Sequence, residues 1–397
     1  MNDLDKELEK AVLAVRDNVI AWRRHIHANP ELSYQENETA DFIETLLKSF
    51  GGMELSRPTP TSVVARLNGP VPGKTVALRA DIDALAVTEL NGLDFVSKKP
   101  GVMHACGHDS HAAMLLGAAK VLSGFKDRIH GEVRFIFQHA EEIPPGGAVE
   151  LVKAGVMKGV DSIIGLHVFN QISAGTATFL AGPLTADGVN CTVTIQGKGG
   201  HSAMPELSVD PVAVGAQVVV SLQHIVAREL SAFENVVVSA TCFNTPGNAP
   251  NATPDHVTLS INARGATSDF RQKIPIAIER IVTGVCALYG AQCALEFDYL
   301  YPAVINDGAV TETIKSMTQR IYGKDAATVA KPTLAGEDFS AYLSEAPGCF
   351  IFMGTGNEAL GCTFPNHHPR FNIDESALSR GVGILTHGAF ELLGTNP

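Results

Sequence analysis

Three short apolar segments, residues 75–80, 133–138 and 161–168, constrain what this chain can fold into more than any other feature. Helix-patterned stretches at 111–122 and 147–154 lie between them. Strands that alternate with helices need crossover connections, so the pattern specifies an α/β domain built on a largely parallel sheet. In such sheets ligands gather beyond the carboxyl ends of the strands. Each of the three segments runs directly into polar, chemically capable residues.

Helices come first. Leu4, Leu8, Val12, Val15 and Val19 fall on one stripe and predict an opening helix. Ala40, Ile43, Leu46, Leu47 and Phe50 predict a second, stopped by Gly51-Gly52. From about residue 186 the rhythm changes to strand (189–196), helix (210–230), strand (235–243), strand (256–263), helix (268–289) and strand (292–298). That βαββαβ order is the ferredoxin-like α+β unit. After Tyr301-Pro302 the mixture of helix and strand resumes and ends in a helix over 375–393. The expected organisation is an α/β domain of residues 1–185 and 299–397, with 186–298 inserted as a compact unit.

The net charge of −12 opposes a nucleic-acid or anionic-membrane partner, since both would repel the surface as a whole. No apolar run reaches the roughly 18–20 residues that span a bilayer. The start, Met1-Asn2-Asp3-Leu4-Asp5, lacks the basic-then-apolar layout of a secretory signal. Seven scattered cysteines, an odd number without CxxC spacing, argue against a disulfide framework. The expectation is a reduced, soluble, cytoplasmic protein.

The densest chemical cluster is His104-Ala105-Cys106-Gly107-His108-Asp109-Ser110-His111. Cys106 and His108 can reach one metal from a tight turn; taken alone, they also fit a Cys/His nucleophilic pair. Segment 133–138 leads into His139-Ala140-Glu141-Glu142, and segment 161–168 carries His167 near its end. Adjacent carboxylates suit a division of labour in which one ligates metal and its neighbour moves protons. By itself, Glu141-Glu142 reads equally as the opening of a solvated loop, and His167 as a structural histidine. Three strand ends supplying metal-type residues together favour a site. Asp81-Ile82-Asp83 adds a fourth acidic strand end, as ligands or as groups that orient a histidine. Asn366-His367-His368-Pro369 offers two further histidines.

Taken in order, these motifs resemble the amidohydrolase branch of the M20 metallopeptidases, the branch of hippurate hydrolases, N-acetyl-amino-acid deacylases and auxin-conjugate hydrolases. The matches run almost end to end: Arg23-Arg24-His25-Ile26-His27 with Pro30-Glu31, Arg79 to Leu85, His104 to His111 and Ala140-Glu141-Glu142. Gly165-Leu166-His167, Gly199 to Pro205, Gly336-Glu337-Asp338-Phe339 and His367-His368-Pro369 follow.

The resemblance implies two divalent metal ions per subunit (zinc, manganese, cobalt or nickel) held by Cys106, His108, Glu142, His167 and His367. It implies that Glu141 is the general base, and that the inserted unit is a lid and dimerisation domain in a homodimer or higher homo-oligomer. His201 would reach into a partner's site and help hold the oxyanion. Asn251 and Arg264 would bind the substrate's carbonyl or free carboxylate, a task that suits the planar fork of an arginine. Many M20 peptidases carry His-x-Asp where this chain has Asp81-Ile82-Asp83, and bridge their metals with an aspartate. The resemblance to the amidohydrolase branch implies that Cys106 takes the bridging position here. The choice of His367 over His368 rests on the alignment of Pro369 and Phe371. The implied activity is cleavage of small N-acyl amino acids. A dipeptidase or aminopeptidase on the same scaffold is the alternative, and a non-catalytic binder of acyl amino acids a weaker one.

Overall fold

A computed structural model describes residues 1–247, 249–267 and 269–394. The chain divides into two compact units, one of Met1–Leu184, Val304–Lys331 and Asp338–Pro397, the other of Thr185–Ala303 and Pro332–Glu337.

The first unit holds an eight-stranded sheet. Its strands include β1 (Glu54–Ser56), β2 (Val63–Asn68), β3 (Val71–Asp81), β4 (His130–Gln138), β5 (Ser162–Ser173) and β6 (Ala177–Phe179). The order is β1-β2-β4-β3-β5, then Gly348–Gly356, β6 and Ala327–Val329. The four central strands, β4, β3, β5 and Gly348–Gly356, run parallel to one another, while β2 and β6 pair antiparallel at the flanks.

Both faces of the sheet are covered, and the strand sequences say why. In β4, Val133, Phe135 and Phe137 enter one core, while Ile136 enters the other. In β3, Val76, Leu78 and Ala80 face the first core and Ala77 the second. An apolar run without polar alternation is what a strand buried on two faces requires. The first face carries α1 (Asp3–Ala14), α2 (Arg16–Ala28), α3 (Asn37–Phe50), α4 (His108–Gly124) and the helix Leu378–Leu393. The second face carries α5 (Gly147–Lys153) and the short helix Ser340–Leu343.

The connections make a crevice. From β3 the chain passes through α4 to β4 on one side of β3, then through α5 to β5 on the other side. The gap between β3 and β5 is therefore a topological switch point, where open α/β sheets bind ligands. Its mouth opens early, because β3–β5 pairing stops at Arg79 and Gly165 while β5 stays paired with Gly348–Gly356 as far as Ser173.

Several expectations change in detail. The opening stripe is two helices, because the chain breaks at Val15, whose N–H turns back to the carbonyls of Ala11 and Leu13. The segment expected over 161–168 continues to Ser173, so His167 lies inside β5 and not at its end. The β1–β2 edge, flanked by Pro58 and Pro60, shows no clear strand pattern in sequence and was not anticipated.

The second unit is a four-stranded antiparallel sheet ordered Val236–Asn244, His256–Gly265, Asp187–Gln196, Gln292–Tyr299. Val189, Cys191, Val193 and Ile195 share a core with Ile274, Ile278 and Val282 of the helix Phe270–Leu288. The helix expected over 210–230 spans Pro211–His224, then loosens into a wider turn at Ile225–Glu229. The expected helix start at Ser268 and the chain end from Thr395 to Pro397 lie outside the described residues. All seven cysteines are free thiols. Among the described residues no helix is long and apolar enough to cross a membrane.

Candidate metal centre

Four segments deliver side chains to the mouth of the switch point. At the start of α4, Cys106 and His108 flank Gly107, whose φ of 96° is left-handed. A Cβ there would sit 2.3 Å from Cγ2 of Val168, so this turn is closed to any side chain. After β4, Ala140 turns left-handed at φ 50° and is followed by Glu141 and Glu142. His167 comes from β5, and the loop before the last helix brings His367, itself left-handed at φ 68°.

These groups converge. Cys106 Sγ lies 3.3 Å from Nε2 of His167 and 3.3 Å from Nε2 of His367. Glu142 Oε1 is 3.3 Å from His367 Nε2 and 3.9 Å from His108 Nε2. The donor atoms of Cys106, His108 and His167 lie within 4.8 Å of one another, as do those of Cys106, Glu142 and His367. The two sets share only the thiol of Cys106. Glu141 stands in a third group with His108 and Glu142. His368 turns away: its ring stacks on Phe364 with centroids 4.4 Å apart, and its Nδ1 accepts the Arg370 N–H.

The surroundings prepare each donor. His108 Nδ1 bonds the Asp83 carbonyl at 3.0 Å and its carboxylate at 3.1 Å, which turns Nε2 toward the cluster. His167 donates from Nδ1 to the Val168 carbonyl, so its Nε2 likewise faces Cys106. Asp83 is thus an orienting group and no donor. Asp81 plays the same part for His111, with Oδ1 at 2.6 Å from Nδ1, while His111 Nε2 accepts the Val168 N–H. His108 Nε2 and Glu142 Oε1 are buried without a hydrogen-bond partner. Buried polar atoms are rarely left so, and here they point at one another across the cluster.

The electrostatics agree. Burial opposes a charge on His108, yet the carboxylates of Asp81, Asp83 and Glu142 outweigh it and push its pKa up to about 10. Burial, followed by Glu142, Glu141 and Asp81, raises the Cys106 thiol well above its usual value. This field favours a cation and disfavours a lone thiolate. It is the reverse of what a nucleophilic cysteine needs, and it suits a thiol that ionises only onto a metal. One sulfur–nitrogen set and one sulfur–nitrogen–oxygen set, joined through one thiol, fit two divalent metal ions.

A buried network underlies the cluster. Arg79 donates to Gln138 at 2.8 Å, Asp81 at 2.8 Å and Asp338 at 2.8 Å. Gln138 also donates to Asp338, and Tyr342 to Gln138. Arg79 and Gly336-Glu337-Asp338-Phe339 stood out as motifs; that Arg79 and Asp338 pair was not legible. Asn366 Nδ2 ties the Cys106 and Val168 carbonyls together, beside His367.

Cys106, His108, Glu141, Glu142, His167 and His367 belong to the first unit; His201, Asn251 and Arg264 belong to the second. Within it, His201 and Asn251 are brought side by side by a small ladder in which Ala252 pairs with His201, while Ser202 N–H donates to the Asn251 carbonyl. Arg264 lies elsewhere on the sheet, paired with Gly188 and Val237. Its guanidinium is half-buried, burial lowers its pKa, and it has no hydrogen bond or ion pair among the described residues.

Known proteins match along most of the chain. It is 51% identical over 301 residues to an N-acyl-L-amino acid amidohydrolase of Geobacillus stearothermophilus, covering 76% of this chain and 81% of that one. It is 39% identical over 397 residues to thermostable carboxypeptidase 2 of Saccharolobus solfataricus, covering 99% and 100%. A dinuclear metal-binding M20 peptidase from Bacillus subtilis superposes with a TM-score of 0.85 at 34% identity, covering 96% of this chain and 99% of that one. The profile of Peptidase family M20/M25/M40 matches residues 77–390. The chain belongs to that family and is a metal-dependent hydrolase of amide bonds.

Proposed function

We propose that this enzyme hydrolyses the amide bond of small N-acyl amino acids to a carboxylic acid and a free amino acid. The observation that carries the reading is the pair of donor sets joined at Cys106, with Glu141 beside them as an additional carboxylate. Both relatives, the acyl-amino-acid amidohydrolase and the carboxypeptidase, are named for releasing or cleaving at an amino acid. A half-buried arginine such as Arg264, without an ion pair among the described residues, suits a substrate that ends in a free α-carboxylate.

Cys106, His108, Glu142, His167 and His367 would hold two divalent ions, and zinc, manganese, cobalt or nickel each suits such a shell. When bound, the ions acidify water and polarise the scissile carbonyl. Glu141 takes the proton of the attacking water and hands it to the departing amine, which leaves poorly as an anion. His201 of the partner subunit meets the oxyanion in a homodimer, and the second unit serves as lid and dimerisation domain. Losing such an oxyanion donor costs about 10²–10³ in turnover. Asn251 and Arg264 fix the substrate's carbonyl and α-carboxylate.

A second reading, release of amino acids from short peptides, is favoured by the full-length match to a carboxypeptidase. One experiment separates the two: amine release from a panel of N-acyl amino acids and dipeptides, using chelated protein with and without added divalent metal. Metal-restored cleavage of acyl amino acids supports the proposal. Cleavage of dipeptides alone replaces it with the second reading, and cleavage insensitive to chelation refutes both.

A further inference from the structure

Glu36 is fully buried, yet it is neither a proposed metal donor nor bonded to one. It occupies the position before the first turn of α3 and makes no capping bond. Its carboxylate reaches instead across 104 positions of sequence. Oε1 accepts the Ala140 N–H at 2.8 Å and the Tyr34 N–H at 3.0 Å.

Those two partners share an unusual backbone. Among the described residues three non-glycines have positive φ: Tyr34, Ala140 and His367. Glu36 grips the amides of two of them with one oxygen. A left-handed L-residue is disfavoured by about five- to thirtyfold, so something must hold Ala140 in place. The turn it begins is the one that aims Glu141 and Glu142. Its far side is gripped as well, since the Glu142 N–H donates to Asp83 at 3.0 Å. Tyr34 closes the arrangement by setting its ring edge-on to His139, with centroids 5.5 Å apart. Burial and the neighbouring Asp83 charge push the Glu36 pKa up to about 7, a sign that the carboxyl is kept here at a cost.

We infer that Glu36 is a positioning residue for the amide hydrolysis: by holding the Ala140 amide it keeps the left-handed turn that aims Glu141 and Glu142. This rests on the function proposed above. The test is steady-state kinetics of the metal-loaded enzyme, with metal content and melting temperature recorded for each variant. Glu36→Ala should lower kcat at least about fivefold, with a much smaller change in KM. Glu36→Gln, which keeps an acceptor oxygen, should retain most of the wild-type kcat. Adding Ala140→Gly to Glu36→Ala should recover kcat about fivefold, because glycine adopts the left-handed turn freely.

A wild-type kcat in Glu36→Ala overturns the inference. So does a folded, slow Glu36→Ala that Ala140→Gly fails to rescue, since a general packing defect would not respond to a backbone change at Ala140. Should Glu36→Ala not fold, Glu36→Asp, which draws the carboxylate back by one methylene, takes its place: a wild-type kcat, or a slow variant without rescue by Ala140→Gly, again overturns the inference. An inactive wild type overturns the proposed function and this inference with it; an active wild type with an indifferent Glu36 overturns only the latter.

Discussion

Substituting Gly107 by alanine tests how the two halves of the donor cluster depend on one another. Gly107 sits at φ 96° between Cys106 and His108, a conformation that costs an L-residue about 1–2 kcal/mol. The new Cβ would also lie 2.3 Å from Val168 Cγ2, while its contacts to Phe371, at 3.4 and 3.5 Å, are ordinary. Overpacking of that kind costs about 1–3 kcal/mol, so the two effects together come to roughly 2–5 kcal/mol. Val168 cannot yield quietly. Its N–H holds His111, its carbonyl holds both His167 and Asn366, and the loop of Asn366 carries His367. The expectation is a loss of that size in urea unfolding of the chelated protein, with weaker metal binding by calorimetry. Val168→Ala removes the opposing methyl, so the double variant should fall short of additive destabilisation by at least about 1 kcal/mol. A Gly107→Ala protein within about 0.5 kcal/mol of wild type, or strict additivity, would refute the steric argument.

Other variants probe separate parts of the molecule. Glu141→Ala should keep its metal, by elemental analysis, and lose nearly all turnover; substantial activity would sink its role as proton carrier. Arg79→Leu leaves Asp81 and Asp338 as buried charges without their cation, and should cost about 3–5 kcal/mol in chemical denaturation; a loss under about 1 kcal/mol would show that the network is dispensable. Burial opposes ionisation of Glu132, but hydrogen bonds from Arg66 and Arg134 prevail and lower its pKa. Its stabilisation is therefore fully present above the ordinary glutamate value of 4.5 and is lost as pH falls through the lowered folded value. Glu132→Gln should cost roughly 1 kcal/mol at pH 7, allowing for the half-exposed Arg66. That gap should close in acid; a gap that widens as pH falls would reverse the assignment.

Much of this was readable in advance where the physics is local. Phe135, Ile136 and Phe137 are adjacent apolar residues, and only a strand covered on both faces can bury all three. The βαββαβ rhythm was legible because each element is bounded by its own change of period. Cys106, His108 and Glu142 stood out because metal-type residues were dense at strand ends. What escaped depends on partners chosen across space. Nothing near Asp83 says that it orients His108 and is no donor, and nothing near Arg79 names Asp338. Nothing near Glu36 says that its carboxylate meets the Ala140 amide. The β1–β2 edge escaped for a different reason, since prolines lie between the two strands and the three-residue β1 is recognisable by its pairing with β2.

The place of the strand Gly348–Gly356 beside β5 sets a timetable for synthesis. Emerging from the ribosome in order, the chain can present Cys106, His108, Glu142 and His167 once β3, β4 and β5 exist. The strand that completes the centre of the sheet, and the loop carrying His367 just after it, appear only when the whole second unit has been made. A nascent chain thus carries an open sheet edge and a partial donor set while the whole second unit is being made. Early termination would yield a protein that lacks the Leu378–Leu393 face of its main core and has no means of closing its second donor set. Completion of the last stretch of polypeptide therefore couples quality of the product to its ability to take up metal.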